Sequence, residues 1–145
     1  MIAAWCAWLW QPEHQVRLHQ KNLLKAYEGR DWQRVGEFID AKYADRWEHD
    51  KGFVLQASKE VFAQFIVLSM ESEVTSCTVA GPSGKIAFKL KIKGQGSPVA
   101  AMVMERVNPL HEPFVCDWVR QSWKPWEWKL VRVDQPELTL DLPEP

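Results

Sequence analysis

His49 and Asp50 stand side by side two residues after Trp47, the arrangement in this chain that comes nearest to acid–base chemistry. A histidine next to a carboxylate can serve as a general base that its partner orients. Neighbouring residues of an extended segment point to opposite faces, however, and Asp is a strong helix N-cap. The preferred reading is therefore a loop His49, with Asp50 capping the helix that follows. Asp45, Glu105 and Asp117 are the carboxylates in or beside predicted strands. Glu105 and Arg106 must then face opposite ways, which puts one of them inside or under cover. A buried carboxylate of raised pKa would be an acid/base candidate. For Asp117 a diagonal ion pair with Arg132 across the last hairpin is preferred. Tyr27, Tyr43, Trp47 and Trp118 join His49, Glu105 and Asp117 as the residues expected near a pocket.

Other chemistries find less support. His14 and His19 are spaced wrongly for one helical face, no HExxH occurs, and His111-Glu112 falls in a loop between prolines, so no metal centre is expected. No cofactor motif is present either. The GPSGK run at Gly81–Lys85 lacks the spacing and the following Ser or Thr of a phosphate loop and reads as a hairpin turn. Lys85, Lys89, Lys91 and Lys93 line one strand face with no aromatic residue among them, which fits a solvated face better than nucleic acid. Net charge is −1, so there is no basic footprint.

The elements that must position these residues come from periodicity. The 145-residue chain is 46% hydrophobic and 26% charged, the balance and size of one globular domain. Gln11-Pro12-Glu13 opens a first helix, in which Val16, Leu23, Leu24 and Tyr27 recur at helical spacing and Gly29 is the stop. Asp31 caps a second, short helix with Trp32, Val35, Phe38 and Ile39 on one side. Tyr43 to Trp47 reads as a short extended piece, and a third helix carries Val54, Ala57, Val61 and Phe65. Near residue 66 the period changes to two. In Lys85–Lys93, Ile86, Phe88, Leu90 and Ile92 share one face and the lysines the other, the mark of an antiparallel strand. Further strands are expected at 67–79, 99–107, 114–123 and 128–133, separated by Gly- and Pro-rich turns.

With Lys124–Glu127 as the last turn, Trp123 faces Trp128, Gln121 faces Leu130 and Val119 faces Arg132. Both sides of that hairpin are then apolar, so a second protomer or the N-terminal arm should cover it. Cys77 and Cys116 fall in strands and read as buried thiols, bridged only if those strands lie close together.

The chain holds nine Trp. Trp5 and Trp8 belong to an uncharged run, Met1–Trp10, too short for the roughly 20 apolar residues that span a bilayer. The run is either the stub of a membrane anchor that starts upstream of Met1 or an arm that packs on the domain or on a second copy. Trp5, Trp8, Trp123 and Trp128 are the expected interface residues. Residues 1–11 are thus an arm or truncated anchor, 12–134 the domain, and 135–145 an acidic, Pro-punctuated tail that is loosely held.

Leu23-Leu24-Lys25-Ala26-Tyr27 with Asp31-Trp32, then Phe62 and Phe65, then Phe114–Trp118 and Trp128–Val133, give the stretch from Pro12 to Asp134 a recognisable order. It resembles the nuclear transport factor 2-like superfamily, of cystatin-like fold, which includes ketosteroid isomerase, scytalone dehydratase and the SnoaL-like proteins. The resemblance implies an α+β fold: three N-terminal helices packed in the concave face of a curved, mostly antiparallel five- to six-stranded sheet. It also implies a cone whose open end is a pocket, functional acids on the pocket floor, and dimerisation through the outer sheet face. The Tyr and Asp pair of ketosteroid isomerase has no matching positions here.

Two functions follow as expectations. The favoured one is a non-enzymatic homodimeric binding domain, with a small apolar ligand and a membrane tether as options and no nucleic acid. The other is an isomerase, dehydratase or hydrolase acting through a pocket carboxylate or His49. Both a membrane-anchored extracytoplasmic and a cytoplasmic location are compatible with the sequence.

Overall fold

The fold is described from a computed structural model for residues 2–138, the side chains of Trp5, Cys6, Trp8 and Leu9 excepted. Five helices and four strands follow in the order α1 (Ile2–Leu9), α2 (Pro12–Glu28), α3 (Trp32–Phe38), α4 (Lys51–Phe62), β1 (Phe65–Ala80), β2 (Ser83–Gly96), α5 (Pro98–Val107), β3 (Phe114–Arg120) and β4 (Trp128–Asp134). The helix starts obey local chemistry. Pro12 occupies the first turn of α2, where its missing N–H costs nothing. Asp31 accepts from the Arg34 N–H at 3.2 Å to cap α3, and Asp50 accepts from the Phe53 N–H at 2.8 Å to cap α4.

The sheet is open and antiparallel, with strand order β1-β2-β3-β4. Gly81 and Pro82 turn β1 into β2, with Gly81 at φ +58°, the left-handed position that glycine tolerates. Register shifts at Phe65/Val67, Val74/Ser76 and Asp117/Trp118 are the kind of irregularity that bends a sheet. Helix α2 lies on its inner face and contacts β1, β2 and β4. Val16, Leu23 and Ala26 of α2 meet Val35 and Ile39, and the sheet supplies Ile86, Phe88, Cys116, Trp118, Trp128 and Leu130. At Gly84 strand and helix come so close that an added Cβ would sit 2.7 Å from Val16 Cγ2.

Several expectations need correction. Among the described residues the sheet has four strands, not five or six, and α2 rather than three helices together lies along its inner face. Residues 99–107 form α5, a helix. Pro98 sits at its first turn, and Ala100, Val103, Met104 and Val107, at helical spacing, pack with Phe65 and Ile92 into a second core. A short apolar run cannot be assigned to strand or helix by periodicity alone. Beyond Phe88, β2 has lost its β3 partner. There Asn108 Oδ1 accepts from the Ile92 N–H at 2.7 Å, and its Nδ2 donates to the Ile92 carbonyl at 2.8 Å. One side-chain amide thus replaces a neighbouring strand at that residue. The third helix ends at Phe62, and Phe65 belongs to β1.

The last hairpin is joined by a longer loop than expected. Trp128 faces Arg120, Leu130 faces Trp118, and Arg132 faces Asp117. The irregularity between Asp117 and Trp118 shifts the pairing, so Cys116, Trp118, Trp128 and Leu130 are all buried within this one chain. The doubly apolar hairpin is therefore not present. Residues 43–47 form a tight loop closed by an Ala44–Asp50 bridge instead of a strand. Cys77 and Cys116 are both free and both pair with Ile86, on opposite sides. They lie two strand spacings apart, about 10 Å, beyond the roughly 7 Å reach of a disulfide.

Candidate functional site

Asp45 organises the loop between α3 and α4. Its side chain is only 2% exposed. Oδ1 accepts from the backbone N–H of Trp47 and of His49, each at 3.0 Å, and Oδ2 accepts from the Tyr43 hydroxyl at 3.0 Å. His49 Nδ1 lies 3.9 Å from the same Oδ2. The imidazole stacks on Phe53, with centroids 4.0 Å apart, and on Trp47 at 6.4 Å. The Arg46 guanidinium covers the other aromatic neighbour, Trp47, at 5.0 Å from the ring centroid, and pairs with Asp134 at 3.1 Å. The carboxylate beside His49 is thus Asp45, four residues earlier, while Asp50 is occupied as a helix cap. Tight turning of the loop, with Glu48 at φ 64°, brings position 45 back to 49. Among the expected pocket residues, Tyr43 and Asp45 are joined by a side-chain hydrogen bond, and the His49 imidazole lies beside them without one.

The other expected residues are dispersed. Tyr27 lies inside, with its hydroxyl 3.1 Å from Ser58 Oγ and its ring against Trp32 and Phe62 at 5.6 Å each. Trp118 is fully buried, and its Nε1 donates to Gln20 Oε1 at 3.0 Å. Asp117 points away from the inner face, 3.9 Å from Lys85 Nζ, so its ion pair is with Lys85 rather than diagonal to Arg132. Glu105 and Arg106 are both exposed on α5, because helix residues do not alternate between inside and outside as strand residues do. Of the expected interface residues, Trp123 is 80% exposed and Trp128 is 3% exposed in the core, where its Nε1 donates to the Pro125 carbonyl at 3.0 Å. The side chains of Trp5 and Trp8 lie outside the described residues.

A cleft of about 550 Å³ opens elsewhere, between α2, α3 and the loop joining β3 to β4, with His19, Phe38 and Trp126 on its walls and Arg34 and Glu37 on α3. His19 ties these elements together: Nδ1 lies 2.7 Å from the Gln15 carbonyl and Nε2 lies 2.9 Å from that of Trp126. Its ring also meets the edges of Phe38 and Trp118. The sequence did carry a signal for His19, since it falls on the Val16–Gln20–Leu23 face of α2. Metal-ligand spacing does not reveal that role. Among the described residues no group of three or more His, Cys, Asp or Glu is placed to hold a metal ion.

Burial decides the protonation of the inner groups. Desolvation raises the pKa of Tyr27 and, with the Asp45 carboxylate adding to it, that of Tyr43. Desolvation also pushes up the Cys116 thiol. Each keeps its proton in the fold beyond the point where an unfolded chain ionises, about 8.5 for a thiol and about 10 for a phenol. The folded form therefore holds more protons than the unfolded form at high pH, and stability must fall as pH rises through that range. Urea unfolding at increasing alkalinity should show a falling midpoint, and Tyr43→Phe should flatten the decline.

These features define an α+β protein with a helix seated on a bent antiparallel sheet, and solved structures share that arrangement. A conserved protein from Planctomyces limnophilus matches with a TM-score of 0.66 at 16% identity, over 85% of this chain and 93% of that one. A protein from Streptomyces avermitilis proposed to be a dehydratase of the nuclear transport factor 2-like family matches with 0.61 at 19%, over 84% and 93%. A nuclear transport factor 2-like protein of unknown function from Pseudomonas putida matches with 0.57 at 11%, over 83% and 82%. The chain has the nuclear transport factor 2-like fold. No family model matches it, and no curated protein does.

Proposed function

We propose that this chain is a non-catalytic binding or interaction domain. The observation that carries this reading is the filling of the sheet's inner face: Trp118, Ile86, Phe88, Trp128 and Leu130 occupy it, and Trp118 is wholly buried. Among the ionisable groups within, Tyr27, Tyr43 and Cys116 are held in their neutral forms by desolvation. A packed interior of that kind leaves an acid or base little to act on.

The enzymatic alternative draws on one specific observation, the Tyr43–Asp45–His49 group, and on the dehydratase proposal for the Streptomyces avermitilis protein. Against it, Asp45 spends its lone pairs on two backbone N–H groups and a phenol, which is a structural role. Purified protein offered hydroxy compounds, enones and simple esters should show no turnover. Turnover that disappears in both Asp45→Asn and His49→Gln would overturn the reading in favour of an isomerase, dehydratase or hydrolase.

Homodimerisation through the outer sheet face was part of the expectation. That face pairs Lys89 with Glu73 and Lys91 with Glu71 across β1 and β2. A dimer built on it would be held by charged groups and would dissociate in sedimentation velocity as salt rises.

A further inference from the structure

We propose that the end of the molecule carrying α1 and the β3–β4 loop docks into the interfacial region of a lipid bilayer. The inference gives the interaction reading above a partner, and it rests on features that reading did not use. Helix α1, with the sequence IAAWCAWL, has no charged or hydrogen-bonding polar side chain other than the indole N–H groups and the thiol. Ile2 is 81% exposed, and Ala3, Ala4 and Ala7 are exposed too. A helix apolar all round needs an apolar medium all round. A second copy of the chain would cover one side of α1 and leave the other in water. A bilayer surrounds it.

The residues at the base of α1 suit the same boundary. Trp10 follows the helix directly, 45% exposed, with its ring 6.1 Å from that of Trp126. Trp126 is 48% exposed, and Trp123, in the same loop, is 80% exposed. Three indoles at one end of a protein, each with an apolar body and one N–H donor, match the headgroup level of a membrane. An eight-residue helix is about 12 Å long, within one hydrocarbon leaflet of about 15 Å, half the roughly 30 Å core. Among the described residues no helix is long and apolar enough to cross a membrane; at this length the described turns of α1 fit within one leaflet. Lys124 in the loop is already paired with Glu127 at 3.3 Å. The loop therefore brings little free charge, and the attraction is apolar, not a response to anionic lipid.

Flotation of the full chain with vesicles tests this. Binding should be similar for pure phosphatidylcholine and for phosphatidylcholine mixed with phosphatidylglycerol, and should survive added salt. Brominated acyl chains should quench part of the tryptophan fluorescence. Trp123→Ser, at an exposed site, and Ala4→Glu, on an exposed face of α1, should each weaken partitioning by about tenfold or more, with circular dichroism unchanged. Lys91→Glu on the outer sheet should bind like the parent. Failure to float, flotation only with phosphatidylglycerol and reversed by salt, or parental binding by both Trp123→Ser and Ala4→Glu would overturn the inference. So would a dimer that depends on Trp123 and excludes vesicles. Turnover with intact vesicle binding would sink only the non-catalytic reading, and absence of both would sink only this one.

Discussion

Trp118→Ala is expected to lower the stability of the fold by about 3–5 kcal/mol, the largest effect of any single change considered. The indole is fully buried on the inner face of β3, between His19 and Phe38 on the helix side and Leu130 across the hairpin. Truncation opens a cavity that α2 cannot collapse into, because Val16 already abuts Gly84 beneath it. It also strips Gln20 Oε1 of its donor in a site where Gln20 is 2% exposed, and a buried acceptor left unpaired adds its own cost. Denaturant unfolding should show the midpoint falling steeply. Trp118→Phe, which keeps most of the volume but not the N–H, should recover part of the loss. A midpoint unchanged in Trp118→Ala would mean that the inner face is not the core of this protein.

Asp45→Ala should come next, at about 3 kcal/mol or more. Three donors lose one acceptor: the N–H groups of Trp47 and His49 and the Tyr43 hydroxyl. Each buried orphan costs about 1–3 kcal/mol, and the three do not add fully because the loop can open toward water. Asp45→Asn should cost much less, since its carbonyl can still accept from both N–H groups and the Tyr43 oxygen can accept from its amide. Hydrogen exchange at Trp47 and His49 would separate the two substitutions: fast in the alanine variant, near parental in the asparagine one. Equal damage from both would show that the charge of Asp45, and not its acceptor geometry, holds the loop.

The parts of this fold that could be read in advance are those governed by neighbours in sequence. Asp31 and Asp50 mark their helix starts because a cap acts on an N–H three residues away, and Pro12 marks its own because a first-turn proline gives up no hydrogen bond. The alternation of Ile86, Phe88, Leu90 and Ile92 with lysines gave β2 and its wet face. Residues 99–107 were misread because their mixture of Val, Ala and Met is apolar at both helical and strand spacing, and Phe65 and Ile92, which select the helix, are distant in sequence. The candidate site was legible only by residue type. His49 is adjacent to Asp50 in sequence, yet a left-handed turn at Glu48 brings it to Asp45 instead. His19 has no histidine partner at ligand spacing, yet it joins α2 to the Trp126 loop over 107 positions of sequence.

By itself the sequence determined the helix starts, the rhythm of β2, the single-domain size and the concentration of tryptophan near both ends of the chain, because propensity, capping and periodicity act over a few residues. Only the tertiary structure decided which tryptophans are core and which are surface. One irregularity between Asp117 and Trp118 sets the register of β3 on β4, and with it Trp128 goes inward while Trp123 is left in the loop, exposed. A strand's side chains alternate with a period of two, so a single displaced residue reassigns every side chain beyond it, and no local pattern records where that displacement falls.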